Sequence, residues 1–353
     1  MNARIGCLVV GLFVLGGCDD SSSKGQGFAG LGQESKGFAQ VVPGKVFSFP
    51  ADHGAHPDFR IEWWYVTANL KDAAGNDYGV QWTLFRSAMR PAADQPGWGN
   101  GNLWLGHAGL TTRTQQFHAQ TQARGGVGQA GVTAEPFAAW IDDWSMQGEA
   151  SSDLKVQARG DTFSYQLQLT SDQPLVLQGD QGLSRKSARG QASYYYSQPF
   201  FRAQGVLKIE GKPVAVSGTA WLDREWSSQP LSEDQHGWDW FSLHLQDGRQ
   251  LMVFRLRQAD GDNYLSGTWI KADGQTEPLQ RDEIELKALD EHLIAGRKIP
   301  TRWSLSLVKR GLNIEVSAIN PNAWMDVGTP YWEGPVRVQG SETGIGYLEM
   351  TGY

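Results

Sequence analysis

Apolar and polar residues alternate along most of the chain from Val41 onward. Residues 163–169 place Phe, Tyr and Leu at every second position with Ser and Gln between them, and residues 312–318 repeat this pattern. A period of two is that of a β-strand with one buried face. We therefore predict an all-β fold, in which residues 282–292 form the segment whose pattern fits a helix as well as a strand.

The motifs of the first half recur in the same order in the second half. The matched segments are 62–66 with 238–242, 195–205 with 331–340, and 218–221 with 346–349. In this matching Glu62 corresponds to Trp238, and each copy continues through a glycine turn into a strand that ends in Phe-Arg. Such repetition predicts two copies of one unit, at residues 45–228 and 229–353. Closed antiparallel barrels suit these units, and ligand sites favour barrel mouths and domain interfaces.

The N-terminus has the features of an export signal. Arg4 precedes an apolar run over residues 5–17 that is too short to span a bilayer, so residues 1–18 are interpreted as a signal peptide. The run ends in Leu-Gly-Gly before Cys18, which resembles a bacterial lipobox whose cysteine is acylated. A polar tether over residues 19–44 follows. We expect a lipid-anchored protein of the cell envelope that faces the periplasm, with the inner membrane favoured.

Composition narrows the function classes. The formal net charge is −7 and the pI is about 5.5, so a basic surface for nucleic acid is not predicted. The two cysteines, Cys7 and Cys18, both lie in the signal region, so the mature fold holds no predicted disulfide. The 15 tryptophans exceed what core filling usually requires, which favours an aromatic-walled pocket.

Several motifs resemble the AttH/carotenoid-hydratase-like superfamily, whose bacterial members are often labelled secreted hydrolases. The residues that carry the resemblance are Asp52-His53-Gly54-Ala55-His56-Pro57, Glu62-Trp63-Trp64-Tyr65, Ala220-Trp221-Leu222-Asp223-Arg224-Glu225-Trp226-Ser227-Ser228, Gly237-Trp238-Asp239-Trp240-Phe241-Ser242, Tyr331-Trp332-Glu333-Gly334 and the segment 346–353. The resemblance covers nearly all of the mature chain. It implies two lipocalin-like domains and a hydrophobic, often isoprenoid or polyene, substrate. Its members include carotenoid hydratases, a fungal phytoalexin hydratase and decalin-forming Diels–Alderases.

The block at residues 223–226 carries the candidate chemistry. In a strand Asp223 and Glu225 share one face, and Arg224 and Trp226 share the other. A carboxylic acid in an apolar pocket remains protonated near neutral pH and can protonate an alkene, while an indole face stabilises the resulting cation. The predicted catalytic residues are therefore Asp223, Glu225 and Asp239. The carotenoid hydratases carry His at the position of Arg224, which speaks against their own reaction here.

Each candidate has a structural alternative. Arg224 is interpreted equally as part of an interdomain salt bridge, and Asp239 as a strand-end acid that meets an arginine or water. The predicted ligand-binding residues are Glu62, Trp64, His107, Tyr195, Arg224, Trp226, Trp238 and Trp240. No cofactor and no metal site are predicted, because the spacing of His53 and His56 lacks the helical geometry that two ligands would need.

The leading hypothesis is a membrane-tethered protein that binds, and as an enzyme converts, a hydrophobic polyene- or lipid-like molecule near the junction of the two barrels. Acid-promoted hydration, isomerisation or cyclisation fits better than hydrolysis, since the sequence contains no Gly-X-Ser-X-Gly nucleophile motif. The alternatives are a non-catalytic lipid carrier or accessory of an ABC transporter permease, and a structural factor of the envelope.

Overall fold

The structure is a computed structural model that describes residues 29, 31–32 and 35–353. The predicted signal peptide and the lipidation site Cys18 lie outside these residues. The described chain is all-β, as predicted, with single-turn 3-10 helices between some of the strands. Within it, no helix has both the length and the apolar character that crossing a bilayer demands.

The first sheet contains thirteen strands within the described residues. They are β1 (Ile61–Lys71), β2 (Asp77–Ala88), β3 (Asn102–Thr111), β4 (Gln116–Arg124), β5 (Ala130–Ala134), β6 (Phe137–Ile141), β7 (Trp144–Glu149), β8 (Asp153–Arg159), β9 (Phe163–Thr170), β10 (Val176–Leu177), β11 (Leu183–Arg185), β12 (Ala192–Ile209) and β13 (Lys212–Ser227). The order β4-β3-β2-β1-β13-β12-β9-β8-β7-β6-β5 curls into a nearly closed barrel. A glycine hairpin joins β12 to β13 through Glu210 and Gly211, both at positive φ.

The second sheet contains ten strands in the same part of the chain. They are β14 (Gln235–Leu245), β15 (Gln250–Gln258), β16 (Tyr264–Ile270), β17 (Thr276–Leu279), β18 (Glu285–Ile294), β19 (Arg297–Leu307), β20 (Leu312–Ala318), β21 (Trp324–Met325), β22 (Tyr331–Gly340) and β23 (Gly344–Met350). The order β17-β16-β15-β14-β23-β22-β20-β19-β18 forms a half-barrel. The ambiguous segment 282–292 is mostly strand β18, after a 3-10 turn at Arg281–Glu283.

The inner face of each sheet is filled by its own side chains. Trp64, Trp82 and Leu84 belong to a core cluster inside the first barrel, and Phe241 and Trp303 belong to a cluster inside the second. These residues occupy alternate positions of their strands, as the period-two pattern predicts. The space that remains for a ligand therefore lies between the barrels.

The structure corrects the register of the sequence repeat by one residue. Trp64 packs inside the first barrel, whereas Trp240, its predicted counterpart, faces the second barrel's exterior. Cross-strand partners give the matching register: Glu62 pairs with Arg86 on β2, and Asp239 pairs with Arg255 on β15. A slip of one residue turns every side chain to the opposite face of a sheet, so the shift changes which residues can meet.

The barrels contact each other through the outer faces of β1 and β2 on one side and β22 and β23 on the other. The Asn69 amide donates a hydrogen bond of 2.7 Å to the backbone oxygen of Gly346. Gly79 lies so close to Pro335 that a Cβ at this position would come within 2.6 Å of its ring. Glycine here allows the two sheets to approach, which closes the walls of the site described next.

Candidate functional site

A recess opens where the two barrels meet. It contains about 770 Å³ free of protein atoms, a volume that includes the open mouth. The aromatic residues of its wall are Trp63, Tyr65, Phe85, Tyr195, Trp238, Trp240 and Phe254. The aliphatic residues are Leu31, Ile61, Pro230, Leu231 and Leu256, and the polar ones are Thr83, Lys186, Asp223, Glu225 and Glu349. The wall is therefore mostly apolar, with three carboxyl groups and one ammonium group set into it.

Strand alternation places the predicted acids in this recess. β13 continues to Ser227, so Asp223 and Glu225 point into the recess while Arg224 and Trp226 point to the opposite face. Of the predicted ligand-binding residues, Tyr195, Trp238 and Trp240 line the recess. Five predicted site residues thus come together at the junction of the barrels.

Asp223 is a buried carboxyl group surrounded by neutral donors. The Tyr195 hydroxyl donates to Asp223 Oδ2 at 2.7 Å, and the Trp221 indole N–H and the Ser197 hydroxyl donate to Oδ1, the former at 2.6 Å. Burial raises the pKa of Asp223 to about 7, because desolvation outweighs these three hydrogen bonds, and the negative charge of Glu225 raises it further. The group is therefore poised between acid and base near neutral pH.

Glu349 is the second acid of this kind and comes from the last strand of the other barrel. The Trp238 indole N–H donates to its carboxylate at 2.7 Å. Burial raises the pKa of Glu349 to about 7, against the hydrogen bonds from Trp238 and Tyr65, and the charges of Asp223 and Glu225 contribute in the same direction. The negative charge of Asp223 thus makes Glu349 harder to ionise.

A third buried acid lies behind the wall. The Tyr65 hydroxyl, which belongs to the first barrel, donates a hydrogen bond to Glu333 of the second barrel. Burial raises the pKa of Glu333 well above its ordinary value, and the charge of Glu349 adds to this. This contact links the two walls of the recess directly.

The remaining charges of the recess form a pair. The Lys186 ammonium lies 2.7 Å from Glu225 Oε1, and both side chains are buried. The same ammonium lies 4.4 Å from the ring centroid of Phe254 and 5.2 Å from that of Tyr195. Ammonium groups over aromatic faces are stabilised by the ring quadrupole, so Lys186 is held by both partners.

The predicted residues Glu62, Arg224, Trp64 and Trp226 lie on the inner face of the first sheet and do not line the recess. The Arg224 and Arg86 guanidinium groups both donate to Glu62. Arg224 lies 3.8 Å above the ring of Trp64. The expected salt bridge at Arg224 therefore exists, but it is formed within the first barrel and not between the domains.

His56 completes this inner network. Its Nε2 atom lies 2.9 Å from Asp52 Oδ1, its Nδ1 atom lies 3.2 Å from Glu62 Oε2, and its ring stacks at 3.8 Å on Trp226. The two guanidinium groups hold the pKa of Glu62 far below its usual range despite complete burial. A carboxylate that is permanently ionised and paired is suited to structure, not to proton donation.

Asp239 and His107 also lie outside the recess. Asp239 accepts hydrogen bonds from Arg255 at 2.7 Å, from Arg257 at 2.6 Å and from the Tyr353 hydroxyl at 2.7 Å. This is the structural alternative for Asp239, so its predicted catalytic role is not supported by its position. His107 lies behind Phe85, where its Nδ1 atom is 3.0 Å from the Tyr331 hydroxyl.

The sequence reasoning missed three polar residues of the site. The sequence repeat had matched the segment that contains Glu349 to residues 218–221. In the structure, Glu349 pairs with Trp240 just as Glu225 pairs with Trp63. Glu349 is therefore the counterpart of Glu225 in the second barrel. To reveal this match, the first segment of the repeat had to move by one residue and the last segment by four. Lys186 carried no sequence signal, and Tyr65 belonged to a quoted motif but was given no role. The partners of both residues depend on how distant segments pack together.

The comparisons with known proteins agree with this architecture. Two lipocalin-like barrels that meet around an apolar, acid-bearing recess define a class of tandem-barrel proteins. A model of the AttH-like family matches residues 40–353. The chain therefore belongs to the AttH-like family.

Solved structures extend the comparison. A structure from Nitrosomonas europaea described as AttH has 34% identity and a TM-score of 0.80, with 90% of this chain and all of that chain covered. Kievitone hydratase from Nectria haematococca has 14% identity and a TM-score of 0.68, covering 91% and 98% of the two chains. CghA in complex with Sch210972 has 13% identity and a TM-score of 0.55, covering 91% and 97%. The last two show the fold alone. The search of curated proteins found no match.

Proposed function

We propose that the protein binds a hydrophobic molecule of the isoprenoid, polyene or lipid type in the recess and converts it by acid-promoted hydration, isomerisation or cyclisation. One observation carries the proposal: Asp223 and Glu349 face an apolar, aromatic-walled recess with pKa values raised to about 7. The hydratase among the structural neighbours supports the reaction class. The resemblance to a fold that hosts several chemistries does not select one of the three reactions.

The two carboxyl groups supply an acid and a base. Near neutral pH both groups are close to half-ionised, and the charge of Asp223 opposes ionisation of Glu349, so the state with Asp223 ionised and Glu349 protonated is favoured over the doubly ionised state. The protonated group transfers its proton to an alkene carbon, whose π electrons form the new C–H bond and leave a carbocation. In hydration, water adds to the cation and loses a proton to a carboxylate. In isomerisation a carbon next to the cation loses a proton to the carboxylate and a new alkene forms. In cyclisation a second alkene attacks the cation to form a C–C bond, and the new cation then loses a proton to the carboxylate.

The aromatic wall stabilises the cation. The indole rings of Trp63, Trp238 and Trp240 line the recess beside the two acids. A cation over an indole face gains about 0.5–2 kcal/mol. The positive charge of Lys186 would oppose the cation, but Glu225 lies 2.7 Å away and offsets it.

The proposal includes the cellular setting. Acylation of Cys18 would tether the protein to the periplasmic face of the inner membrane, where hydrophobic substrates accumulate. The lipobox-like sequence before Cys18 and the polar segment after it support this part of the proposal.

The test begins with the natural ligand. We expect mass spectrometry of the purified protein to reveal a co-purifying hydrophobic molecule, and incubation with envelope lipid extracts to reveal its product. Asp223→Asn and Glu349→Gln should each lower turnover at least about 100-fold while the ligand still binds. The surface substitution Asp290→Asn, at a side chain 52% exposed, should leave turnover unchanged. If the wild-type protein returns the ligand unaltered, the protein is a carrier and the catalytic proposal is wrong.

A further inference from the structure

Exposed apolar side chains gather at one end of the first barrel. Met89, Trp98, Leu103 and Val127 are 66%, 75%, 49% and 39% exposed. The first three lie in the connection from β2 to β3 and at the start of β3. Val127 lies in the turn from β4 to β5. We call these four residues the rim patch.

Hydrogen bonds hold the parts of the rim patch together. The Met89 N–H donates to the Gly101 oxygen at 2.9 Å, and the Gly97 N–H donates to the Gly126 oxygen at 2.9 Å. The second bond joins the loop that carries Trp98 to the turn that carries Val127. Large apolar side chains are seldom clustered on the surface of a monomer unless a partner covers them. We therefore expect the rim patch to be covered by a binding partner.

The rim patch lies near the recess, at the end of the first sheet where β1 and β3 begin and β2 ends. Ile61, which lines the recess, pairs across the sheet with Ser87, and Ser87 pairs with Leu103. Cross-strand partners lie side by side and point to the same face. Leu103 is therefore two strands away from the recess, on the same face of the sheet.

The N-terminal chain reaches the protein at this end. Leu31 lines the recess, and its backbone oxygen accepts a hydrogen bond of 3.2 Å from Arg60, the residue before β1. The Gly32 oxygen accepts a bond of 3.1 Å from Gln229. Cys18 precedes Leu31 by 13 residues, which can span at most about 45 Å. An anchor at Cys18 would thus keep this end of the barrel near the membrane.

The local charge differs in sign from that of the whole chain. Segments 35–40, 58–60, 89–103 and 124–128 together contain four Lys or Arg and two Asp or Glu, a balance of +2, against −7 for the full sequence. The exposed positive side chains are Lys36, Arg90 and Arg124, whereas Arg60 is half-buried and donates to the backbone oxygens of Leu31 and Ser228. Basic groups next to exposed Trp are typical of surfaces that meet anionic lipid headgroups.

We propose that the rim patch is a membrane-docking surface, on which Trp98 and Met89 insert into the headgroup region of an anionic bilayer so that the recess opens toward the lipid. The anchor at Cys18, on which the orientation argument rests, belongs to the proposed function. The patch itself is testable without the anchor. A ligand that dissolves in the bilayer would then enter the recess without crossing water.

The experiment uses the full mature chain with Cys18→Ser, which removes acylation. Flotation with phosphatidylethanolamine–phosphatidylglycerol vesicles should recover this protein, and recovery should fall with pure phosphatidylcholine vesicles or in high salt. Adding Trp98→Ser and Met89→Ser should weaken vesicle binding at least about tenfold. The matched control adds Leu293→Ser and Val308→Ser, at side chains 77% and 70% exposed on the second sheet, and should bind as the parent does.

Two results would overturn the proposal: no vesicle binding by the Cys18→Ser protein, or equal loss in the patch and control variants. The first result would leave a protein partner or a second copy as the occupant. Asp223→Asn should bind vesicles normally, so a failed pocket and a failed patch give different outcomes. Likewise, absence of acylation on Cys18 in the intact mass of the membrane-extracted protein would refute the anchor alone.

Discussion

Two acids on the inner faces of the sheets and two on the outer faces have opposite kinds of partner, while Glu225, also on an outer face, is paired with Lys186. On the inner faces, Glu62 is paired with Arg86 and Arg224, and Asp239 with Arg255 and Arg257. On the outer faces, Asp223 and Glu349 accept hydrogen bonds from neutral hydroxyl and indole groups. The comparison shows that the charge of the donors, and not burial itself, decides whether a buried acid remains ionised.

The largest expected effect tests the inner face. Glu62→Gln removes the negative charge between two buried guanidinium groups, and breaking a buried ion pair from one side typically costs about 3–5 kcal/mol. We expect this loss in the free energy of unfolding measured by chemical denaturation. Asp290→Asn breaks an exposed pair with Arg302 and should cost less than about 1 kcal/mol. Similar losses in both variants would show that the inner network is not coupled as described.

The second effect concerns pH and the outer face. Because the folded-state pKa of Asp223 is about 7, above the ordinary value of 3.8 for this side chain, the stability that Asp223 contributes is complete below about pH 4 and is lost as the pH rises through 7. The wild-type free energy of unfolding, minus that of Asp223→Asn, should therefore fall by a few kcal/mol between about pH 4 and 8. Denaturation midpoints across this range measure it. A flat difference would mean that Asp223 is ionised throughout.

Glu62 should show the opposite pH dependence of stability from Asp223. The folded-state pKa of Glu62 is held below the ordinary value of 4.5 for this side chain, so its contribution to stability is present at neutral pH and is lost on acidification. The wild-type free energy of unfolding, minus that of Glu62→Gln, should stay level above about pH 5 and decrease below it. An increase on acidification would contradict the assigned ion pairs.

The smallest expected effect is that of Asp223→Asn at about pH 5. At this pH Asp223 is already protonated, and an amide of the same shape replaces a neutral acid, so stability should change by less than about 1 kcal/mol. Thermal unfolding at this pH measures the change. A large loss of stability at this pH would show that Asp223 has a structural role, and the loss of turnover predicted for Asp223→Asn would then not by itself indicate catalysis.

Sequence reasoning predicted the fold because alternation and repetition are local signals. The same alternation correctly separated Asp223 and Glu225 from Arg224 and Trp226 on the two faces of β13. It did not distinguish the inner from the outer face of a barrel strand when both faces are buried. For that reason Glu62, Trp64 and Asp239 were expected in the same site as Asp223.

The remainder of the site depends on contacts between distant segments. Lys186 meets Glu225, and Tyr65 meets Glu333, through docking of elements that are far apart in the chain. No short pattern encodes such pairs. The sequence shows Arg255 at the end of the strand that follows Asp239, but predicting that the two residues pair requires the register of β14 against β15.

The hydrogen bond from Tyr65 to Glu333 joins the two barrels at the recess and therefore constrains how the sequence can evolve. Each barrel owns only one wall, so a change of specificity calls for matched substitutions in two distant stretches of one gene. A change in the length of the linker after Ser227 would shift one wall of the recess relative to the other and disrupt the contacts of both. The short connection between the barrels should therefore tolerate insertions far less than the outer hairpins do, although it carries none of the reactive groups.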